Sequence, residues 1–90
     1  EHPEVAKDLV NLGNAFCDQS QHSEAVPLYL RALAIDQAAL GDDHPHTVAS
    51  LSNLATVYEA MGQKERARAM QSLVGQMKRN WEAKQKRLRR

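Results

Sequence analysis

The chain has little of what catalysis or membrane insertion needs. Its single cysteine, Cys17, excludes an internal disulfide, and no His and Asp are placed to make it a nucleophile. A lone cysteine in 90 residues fits a reducing compartment, so the expected location is cytoplasmic. No apolar run approaches the roughly 18 residues of a membrane span. Glycine-rich phosphate loops, HExxH, a nucleophile elbow and paired CxxC motifs are all missing. Neither an enzyme nor a cofactor is expected on that pattern. The chain opens without Met and without a signal peptide, which predicts a segment of something longer. Its length allows one small domain with a modest core and marginal stability when alone.

What is present is an uneven charge distribution. Residues 78–90 carry Lys78, Arg79, Lys84, Lys86, Arg87, Arg89 and Arg90 against Glu82 alone. The remainder has ten acidic and five basic residues, so an acidic body carries a basic tail behind a net charge of only +1.

There is also an internal repeat. "HPEVAKDLVNL" at 2–12 returns as "HPHTVASLSNL" at 44–54. A shift of 42 residues aligns His2/His44, Pro3/Pro45, Leu9/Leu51, Asn11/Asn53, Leu12/Leu54, Gln21/Gln63 and Ala25/Ala67, with Phe16/Tyr58 and Leu28/Met70 as conservative matches. Each copy reads as two helices. Pro3 and Pro45 suit a first helical turn, where a missing N–H is not needed. Val5, Leu9, Leu12, Gly13 and Phe16 follow the spacing of one helix face, as do Val48, Leu51, Leu54, Ala55 and Tyr58. "DQSQHS" (18–23) and "MGQKE" (61–65) read as turns, and Gly62 suits a helix C-terminus.

The second helix is expected from about Ser23 to Leu40, stopping at Gly41. Ala25, Leu28, Tyr29, Ala32 and Ile35 form one stripe, and Val26, Leu30, Leu33 and Leu40 a second. Two stripes mean burial on two sides, as in a helix between neighbours. Pro27 lies near the helix start, where it costs at most a bond or two. The fourth helix should run from about Lys64 to at least Trp81 and fray beyond. Ala67, Met70, Val74, Met77, Trp81 and Leu88 keep a 3–4 spacing interrupted at Lys84, and Gly75 weakens the helix without stopping the stripe.

These residues carry a family resemblance. "LVNLGNAF" fits the tetratricopeptide pattern of a large residue, x2, L-G, x2, aromatic, and Ala25, Tyr29 and Ala32 fall at its second-helix spacing. "EAVPLYLRALAI" followed by "LGDDHPHTVASLSNLATVY" closely resembles the kinesin-light-chain type of tetratricopeptide repeat, a type also found in nephrocystin-like and other scaffold proteins. The resemblance covers roughly residues 2–77. It implies an all-α solenoid of two helix hairpins with a long C-terminal helix: a first repeat at 1–42, a second at 43–77 and a basic extension or cap at 78–90. It further implies antiparallel pairs stacked with a right-handed offset. The second copy departs from the pattern at Gln71, which stands where the first has Tyr29. That is the substitution expected of a terminal repeat, and it marks the second pair as the weaker joint.

Opposite the apolar face of the first helix lies a polar stripe of Lys7, Asn11, Asn14 and Asp18. The second copy offers Ala49, Asn53, Thr56 and Ala60 at the same positions. The bland reading is a solvated face. The resemblance makes it the concave surface that contacts a bound peptide, with Lys7, Asn11, Asn14, Asn53 and Thr56 as the binding residues. Asn donates and accepts, so it suits a peptide backbone. Lys7, Asn11 and Asn53 also resemble part of the carboxylate clamp of chaperone-binding domains, whose further basic residues the chain lacks. "DDHPH" (42–46) invites a metal reading, but a loop that enters a helix predicts that its Asp residues cap N–H groups instead, and no metal is expected.

The leading expectation is a protein-interaction module, a scaffold or adaptor segment. One alternative is purely architectural, with the repeats capping a longer array. Another is an acidic-partner, acidic-membrane or nucleic-acid contact through the basic tail, with nucleic acid the less expected. Trp81 and Leu88 either cap the last pair or serve a partner or self-association.

Overall fold

A computed structural model describes residues 2–89 as four helices: α1 Pro3–Asp18, α2 His22–Leu40, α3 Pro45–Ala60 and α4 Lys64–Leu88. No strand occurs among the described residues. Packing runs in chain order, α1 on α2, α2 on α3 and α3 on α4. The result is an all-α helical repeat solenoid, a slab of 47 × 29 × 17 Å with no central ball of core.

The two copies start and stop their first helices by the same local chemistry. His2 and His44 are the N-caps, with extended backbones, and each turns its ring Nδ1 to accept a hydrogen bond at 3.1 Å from the amide two residues on, Glu4 or His46. Pro3 and Pro45 follow in the first turn. At the other end, Gln21 N–H donates to the Phe16 carbonyl and Ser20 N–H to that of Cys17; Gln63 to Tyr58 and Gly62 to Glu59 repeat the arrangement. This is a Schellman closure, and it needs a left-handed residue. The second copy supplies Gly62 at φ 78°, whereas the first forces Ser20 to φ 61°.

The "DDHPH" stretch corrects the expectation that its aspartates cap α3. His44 does the capping. Asp43 is buried and accepts an ion pair from Lys84 Nζ at 2.7 Å, while Asp42 is exposed. Thr47 adds a tie by donating its hydroxyl to the Gly41 carbonyl at 2.8 Å. The imidazole outcompetes the carboxylates because His, and not Asp, immediately precedes the helical Pro in both copies.

Burial departs from the sequence-derived faces where a helix has less packed against it. α3 lies between α2 and α4 and buries eight residues: Thr47, Val48, Ser50, Leu51, Leu54, Ala55, Val57 and Tyr58. α1 buries only Ala6 and Gly13. Leu9, Val10, Phe16 and Cys17 are half-buried, while Val5 and Leu12 of the expected stripe are exposed, at 37% and 48%. The correction is a rotation of the face. In α1 the contact made chiefly with α2 selects Ala6, Leu9, Val10 and Gly13. In α2 the stripe of Ala25, Tyr29, Ala32 and Ile35 is buried, with Leu28, Val26 and Leu33 half-buried and Leu30 exposed. Pro27 is exposed one turn into the helix.

Tyr29 is the centre of the first pair. Its ring lies so close to α1 that a Cβ on Gly13 would come within 2.7 Å of Cε1, so only glycine fits there. The phenol donates to Asn14 Oδ1 and sits 3.6 Å from Cys17 Sγ. Burial, and then the Cys17 neighbour, push its ionisation well above the usual tyrosine range, so the hydroxyl remains a donor. In the second copy Gly13 becomes Ala55 and Tyr29 becomes Gln71, which is exposed. Both halves of the ring-on-glycine contact have changed together.

α4 reaches Leu88, longer than the expected minimum of Trp81. Only Ala67 is buried, and Met70, Val74 and Met77 are half-buried on α3. Because α4 runs antiparallel to the shorter α3, its later turns arrive beside the α2–α3 loop. There Trp81 meets the His44 ring edge to face at 5.3 Å and lines a shallow pocket with Pro45 and Val48.

Candidate peptide groove

α1 and α3 are the first helices of the two copies, and a groove of about 290 Å³ lies between them. α1 contributes Pro3, Glu4, Lys7, Val10 and Asn11; α3 contributes His46, Ala49, Ser50 and Asn53; Asp36 of α2 closes the floor. The periodicity explains the arrangement. Residues 42 apart occupy the same register on stacked helices, so Asn11 and Asn53 come to face one cleft, and Lys7 stands beside Ala49 of the matching position.

Three of the five sequence-derived binding residues, Lys7, Asn11 and Asn53, therefore line the same groove. Lys7 and Asn11 are exposed and Asn53 is half-buried. Asn14 and Thr56 continue the stripe three residues further along their helices, outside the groove lining. Each already has one local bond. Asn14 accepts from Tyr29, and the Thr56 hydroxyl donates to the Ser52 carbonyl at 3.1 Å. Both are exposed.

Asp36, Ser50 and His46 are lining residues that the polar stripe did not include. A signal for Asp36 was present: it falls on the apolar stripe of α2, four residues after Ala32 and seven after Tyr29. A charge at a core position is either paired or exposed to a cleft.

The two residues expected at a partner contact are separated in the structure. Trp81 is half-buried against His44, in a shallow pocket with Asp43, Pro45, Val48, Lys78 and Glu82, whereas Leu88 is 77% exposed near the end of α4. The ion pair of Lys84 with Asp43 fixes the turn between them to the loop.

No described group of three or more His, Cys, Asp and Glu side chains is arranged to hold a metal ion. No helix among the described residues is long and apolar enough to cross a membrane. A comparison with curated proteins returned no match. A family model for the tetratricopeptide repeat matches residues 4–72, which takes in α1 from its second residue, all of α2 and α3, and the start of α4. With paired antiparallel helices repeating at 42 residues and most of its length matched, this chain belongs to the tetratricopeptide repeat family, whose repeats mediate protein–protein interaction.

Proposed function

We propose that the two repeats hold an extended peptide segment of a partner protein in the groove between α1 and α3, as part of a scaffold or adaptor. The observation that carries this reading is the convergence of Lys7, Asn11 and Asn53 on one cleft. Each Asn amide both donates and accepts, so two of them on opposite walls can bond successive peptide units of an extended chain. Lys7 at the rim supplies a cation for an acidic side chain or a terminal carboxylate. Asn14 and Thr56 would extend the contact by one turn with the donors and acceptors that their local bonds leave. The repeat length and the His-Pro helix starts favour the kinesin-light-chain type within the family, and the lone cysteine favours a cytoplasmic setting. No catalytic role is assigned to the groove.

The test is the double substitution of Asn11 and Asn53 by Ala. Affinity for a captured partner peptide should fall about tenfold or more, at about 1 kcal/mol for each lost hydrogen bond. The melting temperature should stay close to that of the unaltered chain, since neither residue is buried. Unchanged affinity would count against the groove.

Residues 78–90 would serve as a cap on the second repeat. The contacts of Trp81 with His44 and of Lys84 with Asp43 favour that role over an anchor for partners. Sedimentation of the unaltered chain and of Trp81→Ala should give monomers across a wide concentration range. A dimer lost on that substitution would assign Trp81, with Leu88, to self-association.

A further inference from the structure

The groove floor holds a buried carboxylate, Asp36, against which no described residue places an ion-paired countercharge. Asp36 is 5% exposed, and its one described hydrogen bond comes from the Ser50 hydroxyl, at a long 3.5 Å. The ion pair seen among the described residues, Lys84 with Asp43, lies elsewhere. A carboxylate removed from water carries a desolvation cost, which a well-placed countercharge together with hydrogen bonds can offset. In this fold the open approach to Asp36 is the groove, because α2 closes it from behind and α1 and α3 form the walls. The other charged lining residues, Glu4 and Lys7, are both exposed, one turn apart on the rim of α1. The cleft therefore presents mixed charge at its mouth and negative charge at its base.

Its size limits what can enter. At about 290 Å³ it falls just below the roughly 300–1,000 Å³ range of small-molecule pockets, so it suits one side chain or a chain terminus better than a whole ligand. Val10 and Ala49 on the walls suit the methylene stem of a long basic side chain, with the charged end meeting Asp36.

Resting on the peptide-groove reading, we propose that Asp36 receives a positively charged group of the bound peptide, a basic side chain or an N-terminal ammonium, inserted between α1 and α3. The ligand is then a peptide that places one cation in the cleft while Asn11 and Asn53 hold its backbone and Lys7 meets an acidic neighbour. Asp36 is the selectivity element and the asparagines are the general one.

The experiment titrates the 90-residue chain with pools of heptapeptides whose other positions are randomised without Lys, Arg or His, and follows the side-chain amide signals of Asn11 and Asn53 by NMR. The first pool is N-acetylated with a central lysine. The second is N-acetylated with a central ε-acetyl-lysine, and the third has ε-acetyl-lysine and a free N-terminus. The first or third pool should shift both amide signals, and the second should bind about thirtyfold more weakly. Which of the two charged pools binds identifies the source of the cation. Asp36→Asn, folded by circular dichroism, should lose this discrimination. Equal binding of all three pools by the unaltered chain overturns the role of Asp36 and leaves the groove in place, and this arm does not depend on the variant folding. No shift of Asn11 or Asn53 with any pool overturns the groove reading itself.

Discussion

Leu12 and Leu54 occupy the same place in two copies of one repeat, yet Leu54 is fully buried and Leu12 is 48% exposed. The same contrast separates Val5 from Thr47, Asp8 from Ser50 and Ala15 from Val57: exposed in α1, buried in α3. Side-chain type does not explain the difference, since Leu stands at both members of the first pair. Position in the stack does. α3 has a helix packed on each side, α2 and α4, whereas α1 packs chiefly on α2. Burial in a solenoid belongs to the junction between repeats as much as to the repeat.

The second helices differ in the opposite sense. α2 presents Val26 and Leu33 toward the core around Leu54 and Tyr58, in addition to its Tyr29 stripe. At the matching positions α4 has Arg68 and Gly75, and Gln71 for Tyr29. Part of what α4 lacks is supplied by other means. The Arg66 guanidinium stacks over Tyr58 at 5.7 Å, and the far end of the helix is tied down by Trp81 and Lys84. One helix is built to be covered on two sides and the other to be covered on one.

The sharpest way to break this comparison is at Tyr29. Tyr29→Ala should cost about 3–5 kcal/mol, because it empties the site over Gly13 and leaves Asn14 without its donor. For so small a chain that is enough to unfold it. Gln71→Ala at the matching position should change stability by less than about 0.5 kcal/mol. Thermal melts of the two variants side by side decide the matter, and equal effects would contradict the asymmetry.

Next comes the leucine pair. Leu54→Ala should destabilise by about 2–5 kcal/mol, as a large-to-small change in a closed core. Leu12→Ala should cost no more than about 1 kcal/mol. Urea denaturation of both variants measures the difference directly. A comparable loss at Leu12 would mean that α1 is covered in solution.

The smallest expected effect concerns the helix ends. Ser20→Gly should stabilise by about 1 kcal/mol, since it removes the left-handed strain of a residue with a Cβ. Gly62→Ser should cost about as much. Opposite shifts in melting temperature are the expected result, and shifts of the same sign would show that the two closures are not equivalent.

Much of the helical frame was legible in the chain. The exceptions are α2, which starts at His22, one residue before the expected Ser23, and α4, which runs to Leu88 where periodicity predicts fraying past Trp81. The convergence of Lys7, Asn11 and Asn53 followed from their spacing, because residues at the repeat period share a register. Asp36 was missed as a lining residue although its place on an apolar stripe was visible, since which cleft a stripe residue faces depends on the helix above it. The capping role of Asp42 and Asp43 was misassigned for a related reason. Lys84, the partner of Asp43, comes from a helix 41 residues later in the chain.

The sequence by itself determined the repeat, the helix pairing and the ends of α1 and α3. His-Pro starts, left-handed closures and apolar periodicity act through backbone bonds and neighbours a few residues away, so they are written locally. Tertiary structure alone decided which face of α1 is covered, that Asp36 lies at the base of a groove, and that Trp81 rests on His44. Those outcomes depend on which helices stand on either side, and a carboxylate or a leucine has no fixed burial until that neighbour is in place.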